Sequence, residues 1–238
     1  MSRRYAFGSS YQSIFHPSQL TGGQLYLRRD QATVSSWISD IGTARDFVQA
    51  TGTKQPTLGV NKVVFDGTDD FMEVVETDPF FSDSQGIIFF SGYYDSSANN
   101  AIFSSSDPLS NARNMEILIT SDKIRMLAVE GSSDDLQGST VLTNGAYYYG
   151  YIKGNGLGNP YTFSINAGIE TVTVNSGLNQ SRWFSNITQR TNLVLGARLR
   201  LTPAYRVEEL NKLYYNNTAL TATEINNMNT FMSDPTNY

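Results

Sequence analysis

The sequence predicts an all-β protein, an antiparallel sandwich or barrel carrying one helix near its C-terminus. Composition is the first sign. Ser, Thr and Asn make up over a quarter of the 238 residues, alongside 19 Gly, 14 Tyr and 13 Phe. Aromatics and Thr suit pleated strands, while Gly, Asn and Ser supply turns. Short apolar runs at turn-punctuated spacing are the second sign. The third is that helical periodicity is confined to one stretch, Thr221 to Met232.

Taken in order, Met1 to Gly23 shows no clear period and ends in a polar T-G-G. It is expected to be an extended arm whose aromatics, Tyr5, Phe7, Tyr11 and Phe15, anchor it on a neighbouring subunit; the alternative is a first strand and loop of the same domain. One domain then runs over 24–238. Leu25 and Leu27 alternate with polar neighbours, and Val34, Trp37 and Ile38 follow. Lys62 to Phe65 leads through Asp66-Gly67 into Phe71 to Val75, with Val64, Phe65, Phe71 and Val74 expected inside. Gly86 to Tyr94 is continuously apolar and aromatic, as in a strand covered on both faces. Asn114 to Thr120 and Lys123 to Glu130 form a hairpin at Ser121-Asp122. Ser104 to Ser110 and Gly154 to Gly158 read as loops. Ala146 to Lys153 carries four tyrosines, and Asn166-Ala167-Gly168 turns Tyr161 to Ile165 into Ile169 to Val174. Leu193 to Leu195 and Tyr205 to Tyr215 complete the strands. Thr221-x-x-Glu224 is a capping box, in which Thr accepts from the third amide and Glu reaches back. The helix it opens stops at Ser233-Asp234-Pro235 and is expected to cover an end of the sheets.

Charge and cysteine content exclude several classes. The net charge is −5, without the basic footprint of a nucleic-acid binder. Zero cysteines remove disulfides, thiolate metal sites and cysteine nucleophiles. Arg3-Arg4 is followed by no apolar run of the kind a secretory signal requires, and no stretch is long enough to span a bilayer. Neither nucleic acid nor membrane is therefore expected as a partner. The chain is expected to remain in its cell or to leave by a route needing no signal, such as lysis carrying out an assembled virus.

Three stretches resemble the concanavalin A-like lectin/glucanase superfamily, in its laminin G-like branch found in phage and bacterial surface proteins. They are Q-P-T-L-G-V-N-K-V-V-F-D-G-T-D-D-F-M (Gln55 to Met72), G-A-Y-Y-Y-G-Y-I-K-G followed by Y-T-F-S-I-N-A-G, and Y-R-V-E-E-L-N-K-L-Y-Y-N-N-T-A-L-T-A-T-E-I-N-N-M. Their order over residues 24 to 232 implies an antiparallel jelly-roll β-sandwich with one short C-terminal helix. Function does not follow from that fold, because the superfamily serves many.

Catalysis lacks its residues. Glycoside hydrolysis needs two carboxylates flanking the bond, which relatives of this kind present as E-x-D-x-E on one strand face; no such triplet exists here. The sole histidine, His16, precedes Pro17 in the arm, no G-x-S-x-G occurs, and zinc lacks its Cys and second His. No enzyme and no cofactor is expected. Calcium is the one metal left open, at Asp66, Asp69 and Asp70, where a turn satisfied by its own amides is the competing reading; Asp134-Asp135 reads as a solvated loop. For binding, Trp183-Phe184 lies in polar N-Q-S-R-W-F-S-N and is expected to be an exposed interaction point. Tyr93 and Tyr94 are further candidates against core packing. The expected role is a non-catalytic structural component of a phage-like virion: a capsid decoration, fibre or tail protein, homo-oligomeric and joined to sister subunits through the arm, with glycan-binding capacity. A glycan-binding adhesion module outside any particle is the alternative.

Overall fold

The computed structural model describes residues 15–41, 46–75, 82–97 and 99–237. Among them two antiparallel sheets pack face to face. The front sheet runs, in spatial order, Gly23–Arg28, Val207–Asn216, Gly86–Tyr93, Tyr147–Gly154, Thr162–Ile165 and Gly168–Ile169. Lys62–Asp66 and Thr57–Gly59 continue it beside the first half of Val207–Asn216. The back sheet runs Ser36–Trp37, Phe47–Val48, Met72–Val75, Asn192–Leu195, Asn100–Ser106, Arg113–Thr120, Lys123–Glu130, Ser132–Gln137 and Thr173–Gly177. A single parallel pairing, Val207 with Asn100, joins the sheets at one corner. Ala222–Met232 is the one α-helix among the described residues.

Alternation decides what lies between the sheets. Leu25, Leu27, Val63, Phe65, Ile88, Phe90, Met115, Ile117, Met126 and Leu213 belong to one core, because every second side chain of a strand takes the same face. Val64 therefore points away from the core that Val63 and Phe65 enter, and Phe71 joins Val194 and Ala197 outside the back sheet. The intervening residues of the front sheet, Tyr26, Ile87, Phe89, Tyr151 and Tyr214, are also buried, under Leu220, Met228, Phe231 and Met232. The helix thus covers the outer face of the front sheet, not an end of the sandwich. This double cover explains why Gly86–Tyr93 reads as continuously apolar. Capping is as the sequence predicts: Thr221 Oγ1 accepts the Glu224 amide at 3.3 Å, and Glu224 Oε2 accepts the Thr221 amide at 2.7 Å.

The tight hairpins are built on left-handed residues, Ser121 and Asp122 (φ 52° and 61°) and Asn166 and Ala167 (φ 49° and 63°). Both match the right-handed twist of the strands they join.

Three further expectations change. The arm does not extend to Gly23: from Phe15 onward the chain already packs on the domain, with Pro17 and Leu20 buried and His16 Nδ1 accepting the Ser18 amide at the head of the turn Pro17–Gln19. Ser104 to Ser106 end a buried strand, not a loop. Their hydroxyls donate to the carbonyls of Ala197, Asn192 and Leu199, which removes the cost of burying them. Asp134 and Asp135 also lie in a strand. Asp134 Oδ2 accepts the amides of Gln180 and Arg182, and Asp135 pairs with Arg125, so both carboxylates leave solvent with partners.

Candidate functional site

The aromatic residues expected to bind do not form a site. Trp183 and Phe184 are 0% and 1% exposed, so the expected exposed interaction point is core. Trp183 Nε1 donates to Tyr215 Oη at 3.2 Å, and Tyr215 Oη donates to Asp83 Oδ2 at 2.9 Å. Phe184 meets the Tyr215 ring edge-on at 5.3 Å. The polar neighbours that suggested exposure supply the short turn Phe184–Asn186, which folds the pair inward. Tyr94 is also buried and donates its hydroxyl to Asp122; burial foremost, then that carboxylate, pushes its hydroxyl up to about 12. Tyr93 is half-buried, with its ring 5.1 Å from that of Tyr147 and 5.3 Å from Lys62 Nζ. It ends the strand on whose first residue, Gly86, Trp183 packs, a separation of roughly 20 Å along the strand. Of the arm residues, Tyr5, Phe7 and Tyr11 lie outside the described residues. Phe15 packs its ring on Phe231 of the chain's own helix, at 6.4 Å.

Asp66, Asp69 and Asp70 bring carboxylate oxygens within 4.8 Å of one another. Asp66 Oδ1 accepts the amides of Thr68 at 2.7 Å and Asp69 at 3.4 Å, and Asp70 Oδ2 accepts the Asp66 amide at 3.1 Å. Burial opposes ionisation of Asp66, but the loop amides prevail and hold its carboxyl below the ordinary value. Burial, with Asp66 and Asp69 nearby, raises that of Asp70. The oxygens are of the type calcium takes, yet Asp66 and Asp70 serve the loop's own amides.

Among the described residues, a cluster of unsatisfied polar groups lies elsewhere, on the outer face of the back sheet. The hairpin Ala197–Arg198 and Ala204–Tyr205 crosses that face, tethered through the carbonyls of Ala197 and Leu199 by Ser104, Ser106 and Asn192. Below it stands Glu116, opposite Ser104 on the neighbouring strand and turned outward because Met115 and Ile117 enter the core. Glu116 is fully buried. Its Oε2 lies 3.1 Å from Arg198 Nη1, and its Oε1 accepts from Asn114 Nδ2 at 2.7 Å. Burial pushes its carboxyl up, while Arg198, Arg200 and Arg206 pull it down.

Three guanidinium groups therefore face one carboxylate, in a protein of net charge −5. Arg200 Nη1 donates to the Asn111 carbonyl at 3.3 Å. The Nε atoms of Arg198, Arg200 and Arg206 are all buried without a hydrogen-bond partner. Burial first, then the charge of Arg198, holds Arg200 and Arg206 below the ordinary arginine value against the pull of Glu116. Unpaired buried donors of this kind are costly; the three side chains as a whole are half-buried, and an anion is the partner that accepts from several guanidiniums at once. The signal in the sequence is R-L-R-L at Arg198 to Leu201, a period of two that sets Arg198 and Arg200 on one face, with Arg206 closing the same hairpin. Reading only the apolar alternation passes over it.

No family model and no curated protein matches this chain. Solved structures do. The CBM40 of a Ruminococcus gnavus IT-sialidase, bound to α2,3-sialyllactose, is 18% identical with a TM-score of 0.51, over 60% of this chain and 80% of that one. A NanB sialidase variant from Streptococcus pneumoniae is 18% identical with a TM-score of 0.52, over 61% of this chain and 24% of that one. The binding domain of botulinum neurotoxin serotype D/C is 12% identical with a TM-score of 0.61, over 89% of this chain and 52% of that one. At these identities the likeness is one of fold: the chain is a jelly-roll β-sandwich like those of the carbohydrate-binding module and the neurotoxin's binding domain it matches.

Proposed function

We propose that the protein is a non-catalytic glycan-binding module that takes an acidic sugar at the Arg198, Arg200 and Arg206 cluster. The observation that carries this reading is the excess of guanidinium groups over the single buried carboxylate, on three half-buried arginines of one hairpin. A sugar carboxylate accepts two parallel N–H bonds from one guanidinium, a geometry that Lys does not match. The sialyllactose held by a module of similar fold is a sugar of this class. Glu116 is unsuited to acid–base work, since Arg198 and Asn114 occupy its oxygens and hydrolysis needs a second carboxylate across the bond.

This places the glycan-binding module ahead of the structural virion component. Two of the matched structures are binding domains, and Phe15, the one described residue of the four expected anchors, packs within its own chain. Such a module meets its sugar outside the producing cell, whether displayed on a particle or at a cell surface.

Calorimetric titration with α2,3-sialyllactose, α2,6-sialyllactose and lactose tests the reading. Binding of a sialylated sugar without binding of lactose is expected, weakened at least tenfold by Arg206→Gln at unchanged melting temperature. Equal binding of lactose, or an Arg206→Gln variant that binds as the parent does, overturns it.

A further inference from the structure

Two loop tips meet beside the arginine cluster. The turn between Asn100–Ser106 and Arg113–Thr120 lifts Leu109 to its apex: the Leu109 amide donates to Asp107 Oδ1 at 2.9 Å and the Ser110 amide to the Asp107 carbonyl at 3.1 Å. The arginine hairpin carries Leu201 near its own apex. Asn111 fastens one tip to the other. Its Nδ2 donates to Thr202 Oγ1 at 3.2 Å, its Oδ1 accepts the Thr202 amide at 3.1 Å, and its carbonyl accepts from Arg200. Leu109 is 82% exposed and Leu201 62%.

A lone exposed leucine is ordinary on a protein surface. Here two of them are held outward on tips tied by three hydrogen bonds, next to cations in excess of their one carboxylate. We infer that this edge docks on an anionic lipid bilayer, with Leu109 and Leu201 entering the acyl boundary and Arg198, Arg200 and Arg206 facing the headgroups. Charge complementarity and shape choose this occupant. The positive cluster stands out in an acidic protein, and such clusters are drawn to anionic leaflets. Shallow insertion of apolar side chains with basic ones above them is how a protein lies on a membrane without crossing it. The tips project, so they suit a soft planar surface better than a protein groove. Surface docking departs from the expectation of no membrane partner, which rested on the lack of a spanning segment; no helix among the described residues is long and apolar enough to cross.

Co-sedimentation with sugar-free vesicles tests this. Binding to vesicles of phosphatidylcholine with about a third phosphatidylserine, and much weaker binding to phosphatidylcholine alone, is expected. The double variant L109S/L201S, at unchanged melting temperature, should bind the anionic vesicles at least fivefold more weakly, and R200Q/R206Q should do the same. Failure to bind anionic vesicles overturns the inference. So does loss on arginine substitution alone, which marks plain electrostatic adsorption, and so does retention on soluble polyanions but not on vesicles. Because these vesicles carry no sugar, their result is independent of the sialyllactose titration.

Discussion

Tyr148 donates its hydroxyl to Glu208 Oε1 across 2.9 Å inside the sandwich, where both side chains are buried. The other carboxyl oxygen has no hydrogen-bond partner. Burial pushes the Glu208 carboxyl from 4.5 up to about 8, outweighing the hydrogen bonds from Tyr148 and the Glu209 amide. The folded state therefore holds a proton that the unfolded chain releases near its ordinary value. The stability this confers is fully present below about pH 4.5 and is lost as pH rises through about 8. Glu208→Gln keeps a neutral acceptor for Tyr148 and removes the dependence. Urea unfolding should find the variant more stable than the parent above about pH 8, by on the order of 5 kcal/mol at ~1.4 kcal/mol per pKa unit. The two should converge near pH 5, and parallel stability–pH curves contradict the assignment.

Ala167 sits at φ 63° in the turn Asn166-Ala167, a left-handed conformation that a Cβ makes costly. Ala167→Gly should stabilise by about 0.5–1 kcal/mol, the strain relieved less the added freedom of the unfolded chain. A melting temperature below that of the parent would show that the turn is held by its neighbours and not by its own geometry.

A Cβ on Gly154 would fall 2.3 Å from Trp183 Cε3. Since Trp183 is fixed by Tyr215 and enclosed by Tyr161 and Phe184, the ring has little room to retreat. Gly154→Ala should destabilise by about 1–3 kcal/mol, the usual range for overpacking, and shift the tryptophan emission. An unchanged spectrum and stability would mean that the ring has room to move.

Thr221→Ala removes the side chain that accepts the Glu224 amide, at a cost of about 1 kcal/mol. Hydrogen bonds from the Thr221 amide and hydroxyl hold the Glu224 carboxyl below its ordinary value. That contribution is present above the ordinary Glu value and is lost as pH falls through the folded one. An NMR titration should find the Glu224 pKa raised in the Thr221→Ala variant. A value unmoved by the substitution would show that the Thr221 hydroxyl does not hold the Glu224 carboxylate.

The legible parts of this chain are those where local chemistry acts alone. The capping box at Thr221 and Glu224 and the turns at Ser121-Asp122 and Asn166-Ala167 form where the sequence places them. Burial decided by distant partners was not legible. Ser104 to Ser106 look like loop residues until the carbonyls of Ala197, Asn192 and Leu199 accept their hydroxyls. Trp183 and Phe184 look exposed because their sequence neighbours are polar, while their spatial neighbours, Tyr215 and Tyr161, come from distant parts of the chain. The arginine cluster fails in the same way. R-L-R-L is visible, but its meaning depends on Glu116, which lies on another strand far back along the chain.

Phe15 and Asn237 line the same small depression beside Phe231, so both ends of the described chain emerge on the side covered by the helix. The arginine hairpin crosses the opposite face of the sandwich. A label placed at Phe15 or Asn237 therefore lies across the whole sandwich from the arginine hairpin.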